Sequence, residues 1–303
     1  MLVLLLPGQG AQRPGLLSPW LALPGAAAQV ASWSDAAGLD LAALGTTGSA
    51  DDVRDTAVAQ PLLTAAALLS AGALLDGRRP DAVCGHSVGE LPALALAGVL
   101  DPADAVRLAA ARGRAMAAAA AARPTGMSAV LGGDLESTTV AALQAGLEVA
   151  TVNGRGQVVV GGPLDVLASW SPPGARVRPL QVAGAFHTSA MGLAVPDVAD
   201  AVRALDVRDA ACPVVANADG EALVDGEQLV ARLVGQLTRP VRFDLCLQRL
   251  RDLGATALVE AAPGGTLTGI AARELPGTPA VPLRTPDDLD AARALMAAVP
   301  VPA

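Results

Sequence analysis

Across 303 residues, 52% are apolar and only 17% charged, enough to build one large domain with an inserted module or two modest domains, and to exclude intrinsic disorder. A formal net charge of −8 excludes nonspecific nucleic-acid binding, which needs cationic side chains in excess over phosphate. All 21 basic residues are arginine and tyrosine is absent, a mark of GC-rich coding rather than of any mechanism.

The first predicted element is Leu2–Leu6, a short apolar run stopped by Pro7-Gly8, as suits a buried parallel strand. It is too short, and lacks the preceding basic residues, for a secretory signal. The glycine turn after it, Pro7-Gly8-Gln9-Gly10-Ala11-Gln12, is no dinucleotide fingerprint, because Arg13 stands where a third glycine belongs, and it lacks the Gly-Lys-Ser/Thr of a phosphate loop. Gln60–Leu75 reads as a helix with Pro61 in its first turn. Asp81–Cys84 reads as a strand running straight into Gly85-His86-Ser87-Val88-Gly89, followed by helices over Glu90–Ala97 and Pro102–Ala122. Strand alternating with helix predicts an α/β domain on a parallel sheet.

The rhythm then changes. Strand Met127–Leu131, helix Ser137–Ala145, strand Leu147–Val152, an Asn153-Gly154 turn, strand Gln157–Val160, helix Pro163–Trp170 and strand Arg176–Val182 give the order β-α-β-β-α-β, a ferredoxin-like pattern. The expected division is therefore a large domain from 1–123 and 188–303, with a small subdomain over 124–187. Alternation resumes through strand Pro213–Ala216, helix Gly226–Leu237, strand Ala257–Glu260 and a last helix after about Pro286. No stretch of about 18 uninterrupted apolar residues occurs, so no membrane span is expected. Three cysteines without a CxxC pair suit a reduced, cytoplasmic protein.

The strongest local signal is the glycine-bracketed serine. Gly85-His86-Ser87-Val88-Gly89 fits the nucleophile elbow, with a strand before it and a helix after it. A serine hydroxyl attacks well only when it stands on a tight turn beside a base, and the Val88 N–H at the helix start can donate to a developing oxyanion. The chain has only two histidines. His86 adjoins Ser87 and is poorly placed to serve it, which leaves His187 as the candidate base. Cys84, beside the elbow, reads as buried filler rather than a second nucleophile.

Taken together, Leu5-Leu6-Pro7-Gly8-Gln9-Gly10, Gly85-His86-Ser87-Val88-Gly89-Glu90 and Gly184-Ala185-Phe186-His187-Thr188 resemble the malonyl-CoA:acyl-carrier-protein transacylases, especially the free-standing actinobacterial type. Related polyketide synthase acyltransferase domains share these motifs. The resemblance extends through Gln60-Pro61, Asn153-Gly154, Asn217, Gln236 with Pro240-Val241, and Pro263-Gly264-Gly265. It implies an α/β-hydrolase-like large domain with a ferredoxin-like insert, acting on malonyl-CoA and an acyl carrier protein, with no cofactor and no metal, as a monomer. It also implies roles. Ser87 is the acylated nucleophile and His187 its base and acid. The N–H groups of Gln9 and Val88 form the oxyanion hole, Arg112 grips the malonyl carboxylate, and the Gln236 carbonyl orients His187. Glu90 is then only a helix-start carboxylate, and Arg107 and Arg114 are solvated. Phe186 resembles the malonyl-type version of its motif, where a ring could crowd an α-methyl group. Arg176 and Arg178 are candidates for meeting an acidic carrier. Pro92 departs from the family's small polar residue, at little cost if its helix starts near Val88. The alternatives are an acyl-thioester hydrolase, an acyltransferase for another acyl-CoA serving a polyketide synthase, and a non-catalytic carrier-docking module.

Overall fold

In a computed structural model, which describes residues 1–299, Leu2–Leu6 (β1) is buried along its whole length. The reason is its position. It lies between Ala82–Gly85 (β2) and Ala257–Glu260 (β10) at the centre of a six-stranded sheet, parallel to both. A strand with neighbours on both edges and helices on both faces offers no polar side, so its sequence is apolar without alternation. The sheet runs in the order β11-β10-β1-β2-β7-β8, with β7 at Val214–Val215, β8 at Ala222–Leu223 and β11 at Ala280–Pro282. Among the described residues, only the β7–β8 pair of this six-stranded sheet is antiparallel.

Four helices link β1 to the main core helix: α1 (Ser18–Leu21), α2 (Ala26–Ala37), α3 (Leu41–Thr47) and α4 (Ala50–Arg54). The core helix, α5, spans Thr56–Leu75. Pro61 therefore sits inside the helix rather than in its first turn, and Gln60, Pro61 and their neighbours are buried. By length and composition α5 could cross a membrane, but 83% of its apolar window is buried inside the protein. After β2, a single 3-10 turn over Ser87–Gly89 leads into α6 (Glu90–Leu96), then α7 (Pro102–Ala121). Pro92 is the third residue of α6, where its missing N–H costs little. Helices α5 and α7 come close at Gly113, where an added Cβ would stand 2.6 Å from the Thr56 carbonyl oxygen. That close approach brings the neighbouring Arg112 against Gln60.

The second sheet has the order β6-β3-β5-β4-β9. Its first four strands, β3 (Thr125–Gly132), β4 (Glu148–Gly154), β5 (Gln157–Pro163) and β6 (Ala175–Pro179), alternate with α8 (Leu135–Gln144) and α9 (Leu164–Ser169) in the ferredoxin-like order. Their pairings are antiparallel. The hairpin between β4 and β5 turns at Arg155-Gly156, so Asn153-Gly154 ends a strand instead of making the turn. Beyond this unit follow α10 (Val195–Arg203), α11 (Gly226–Gly235), and Val241–Arg242 (β9), which adds parallel to β4. The chain ends with α12 (Phe243–Asp252), α13 (Thr266–Glu274) and α14 (Leu289–Ala297). Residues 300–303 of the expected large domain lie outside the described residues. The whole is an α/β-hydrolase-like domain carrying a ferredoxin-like insert.

Candidate active site

The elbow is a steric consequence of its glycines. A Cβ at Gly85 would lie 2.1 Å from the Gly89 carbonyl carbon, and one at Gly89 would lie 2.1 Å from the Leu6 carbonyl oxygen. Only bare Cα atoms let the turn close on itself and on β1. Between them Ser87 adopts φ 55°, a left-handed conformation costly for a residue with a side chain. His187 has φ 61°. The two strained residues meet: Ser87 Oγ lies 2.7 Å from His187 Nε2. His187 Nδ1 is 2.9 Å from the Gln236 carbonyl oxygen. A carbonyl can only accept, so Nδ1 carries the proton and Nε2 is left to accept from the serine hydroxyl. Burial, together with the Arg112 charge, lowers the imidazole's pKa to about 3, so the ring is neutral at physiological pH.

Arg112 is fully buried. Its guanidinium donates to Gln60 Oε1 and to Gln236 Oε1, each at 2.7 Å, and stands 3.5 Å from Ser87 Oγ. Among the described residues its Nε has no hydrogen-bond partner. Burial pulls its pKa down to about 10, still far above neutrality, so the group is a cation beside the serine. Arg107 and Arg114 are exposed instead; Arg107 pairs with Asp104 and Arg114 reaches the Ala37 carbonyl.

Gln9, with Gly8 and Gly10, lines a cavity of about 250 Å³ that also presents Gln60, Ser87, Arg112, Phe186 and His187. The Gln9 side chain donates to Thr56 Oγ1 at 3.2 Å. Val88 is buried and follows Ser87 in the 3-10 turn. Phe186 is both a cavity wall and almost wholly buried. Arg176 and Arg178 are exposed on β6, at the edge of the small sheet and outside the cavity.

Several polar residues belong to the site without having announced it. Asn217 accepts from the Ser87 N–H at 2.7 Å and donates to the Gly85 carbonyl at 2.7 Å, bracing both arms of the elbow. His86 reaches beyond the elbow. Its Nε2 lies 2.9 Å from Asn153 Oδ1 on β4, and its ring meets Phe243 edge-on with centroids 5.2 Å apart, so it ties the elbow to the small sheet. Glu90 starts α6, as its sequence position implies, and does more than start a helix. It is buried and accepts from the Asn217 N–H and from Gln236 Nε2, each at 2.6 Å. The only sequence signal for Asn217, Gln60 and Asn153 was their place in the family motifs.

A neutral imidazole aimed at an elbow serine, with a buried cation beside it, is the apparatus of covalent acyl chemistry on an α/β-hydrolase-like fold. The chain belongs to the acyl transferase family, whose domain model matches residues 3–283. It is 50% identical over 297 residues to the malonyl CoA-acyl carrier protein transacylase of Mycobacterium tuberculosis, covering 96% of this chain and 98% of that one. The Escherichia coli protein of the same name is 35% identical over 298 residues, covering 94% and 96%. The crystal structure of the Mycobacterium tuberculosis transacylase superposes with a TM-score of 0.92 at 49% identity, covering 96% of this chain and 99% of that chain. A malonyl-transacylase in complex with its type II polyketide acyl-carrier protein superposes with a TM-score of 0.90 at 29% identity, covering 97% and 99%.

Proposed function

We propose that this chain moves a malonyl group from malonyl-CoA to the phosphopantetheine thiol of an acyl carrier protein, through an ester on Ser87. The names of its relatives support the reaction class, and the buried Arg112 cation beside Ser87 is the observation that carries the acyl group's identity. A fully buried guanidinium with an unpartnered Nε leaves a donor whose desolvation costs about 1–3 kcal/mol until something accepts from it. A carboxylate is the natural acceptor, because its two oxygens match the guanidinium fork. An ordinary esterase has no use for such a group.

In the first half-reaction the Ser87 hydroxyl proton passes to His187 Nε2 as Oγ bonds to the thioester carbon. The N–H groups of Gln9 and Val88 hold the oxyanion. The C–S bond then breaks, and the imidazolium gives its proton to the departing coenzyme A sulfur. In the second, the carrier's thiol gives its proton to Nε2, its sulfur attacks the ester carbon, and the C–Oγ bond breaks with the proton returning to Ser87. Gln236 holds the imidazole through its carbonyl during both steps, and Phe186 walls the acyl pocket. The small subdomain is taken as 124–187 and the large domain as the flanking segments. Three free, buried cysteines suit a reducing cytoplasm.

The test compares rates of acyl-enzyme formation from malonyl-CoA and acetyl-CoA, read by intact mass. Arg112→Ala should slow malonyl loading by about 30-fold to 5,000-fold, the range for removing one partner of a buried charged pair. Acetyl loading, which needs no cation, should change much less. Equal losses for both would remove Arg112 from the role and leave a general acyltransferase.

A further inference from the structure

Glu90 begins α6, yet its carboxylate points into the buried seam between the elbow, the loop after β7 and the end of α11. There the Gln236 side-chain amide lies between two charges. Its nitrogen faces oxygens only: Glu90 Oε2 at 2.6 Å, Asn217 Oδ1 at 3.1 Å and the Ser87 carbonyl at 3.4 Å. Its oxygen accepts from Arg112 at 2.7 Å. We propose that Glu90 is a positioning residue for acyl-group selection: acting through the Gln236 amide, its carboxylate holds the Arg112 guanidinium in place for an acyl group that ends in a carboxylate. The inference rests on the reading of Arg112 given above and adds to it the group that sets that residue's geometry.

The argument is one of hydrogen-bond polarity. An amide has a donor end and an acceptor end, and turning it over here would set N–H against guanidinium N–H and oxygen against carboxylate. An ionised Glu90 forbids that reversal. A glutamine at position 90 has the same shape but the opposite consequence. Its oxygen stays on the fixed Asn217 N–H, its NH2 then faces Gln236, and the Gln236 amide must turn over to accept, placing its own N–H against Arg112. Protonating Glu90 acts in the same sense, because the new O–H needs an acceptor where Gln236 now offers a donor. Glu90's charge would also repel a malonyl carboxylate, but Arg112 stands between Ser87 and Gln236, so loss of its placement is the larger effect.

Glu90 is also poised to change state. Burial raises its pKa to about 7, against the opposing pull of the Asn217 N–H and of the Arg112 and Arg232 charges, while Asp219 pushes it further up. The charged groups that act on it are Arg112 from α7, Arg232 from α11 and Asp219 from the β7–β8 connection, and the Cys246 thiol of α12 in turn feels its charge. A group with a raised carboxylate pKa is ionised above that pKa and gains its proton as pH falls through it. The selective arrangement is therefore present above about pH 7 and lost below it.

The experiment measures acyl-enzyme formation from malonyl-CoA and from acetyl-CoA for wild type, E90Q and R112A, between about pH 5.5 and 8.5. Taking the ratio of the two rates cancels any pH effect common to both acyl groups. Wild type should show a malonyl-to-acetyl ratio that is level at high pH and falls as pH drops through about 7. E90Q should give a ratio about tenfold lower at high pH, the scale of one charged hydrogen bond, and independent of pH. Its loss should fall on the half-saturating malonyl-CoA concentration. A wild-type ratio in E90Q, or a raised one, overturns the proposal, as does a flat wild-type profile, which decides the matter even if E90Q does not fold. If R112A keeps the wild-type ratio, the Arg112 reading itself fails, a pattern distinct from E90Q alone being silent.

Discussion

Ser87→Ala protein incubated with malonyl-CoA is expected to carry no acyl group at all, and its transfer of malonyl to a carrier thiol should fall to background. The substitution removes one oxygen and little else. Ser87 already occupies the left-handed region at φ 55°, and alanine suffers the same Cβ strain there, so the elbow's conformation survives. Its N–H still donates to Asn217, which braces the turn independently of the side chain. What disappears is the atom 2.7 Å from His187 and 3.5 Å from Arg112, the one that the proposed route turns into the ester oxygen. Losing the nucleophile of a serine enzyme costs on the order of 10⁶ in turnover. Intact-mass measurement of the loaded protein, followed by peptide mapping of wild type, reads the outcome directly. An adduct persisting on Ser87→Ala would move the nucleophile elsewhere, with Cys84, buried next to the elbow, the first place to look. Absence of any adduct on wild type would instead favour a carrier-docking module without chemistry.

How much of this could be read in advance depends on the distance over which each feature is encoded. The elbow is local: five consecutive residues and a preceding strand carry it, and the glycines act on one another and on β1. The β-α-β-β-α-β order is local too, because each element declares its own period before any of them pack. His187 was found by scarcity, there being one other histidine. Arg112 looks like any arginine on an alanine-rich helix, and only the family resemblance singled it out. The buried contacts of Glu90 are not legible in the sequence, for a physical reason. Its sequence position, first in a helix, is where a carboxylate normally serves the helix dipole. What it does instead depends on Gln236, 146 residues away, and on Asn217, 127 residues away. Nothing in the neighbourhood of Glu90 encodes either contact. The Asn153-Gly154 pair shows the same limit. It has turn composition, yet Asn153 is kept in β4 with its side chain on His86 of the elbow, while the turn passes to Arg155-Gly156. The helices α1–α4 gave little signal because they are short or rich in alanine, which packs on either face and blurs the periodicity.

His187→Ala is the second large expected effect: acylation by malonyl-CoA should slow by on the order of 10³ to 10⁶, without loss of the site of modification. Ser87, Arg112 and the elbow N–H groups all remain, so binding and oxyanion stabilisation persist and a slow adduct on Ser87 should still accumulate. The lost function is proton removal, and that gives a signature beyond rate. In wild type the imidazole pKa is lowered to about 3, first by burial and then by Arg112. A base with so low a pKa is already free at neutral pH, so wild-type acetyl loading should stay level as pH falls from about 8 to about 5. In His187→Ala the serine must lose its proton to solvent base, and the rate should rise steadily with pH over the same range. Added imidazole should restore part of the lost rate, since removal of the ring leaves space between Ser87 Oγ and the Gln236 carbonyl that once held it at 2.7 Å and 2.9 Å. A purely structural histidine predicts the opposite combination: a protein less stable to heat, a wild-type pH profile at reduced amplitude, and no response to imidazole. Quenched-flow measurement of adduct formation across pH, with and without imidazole, separates the two.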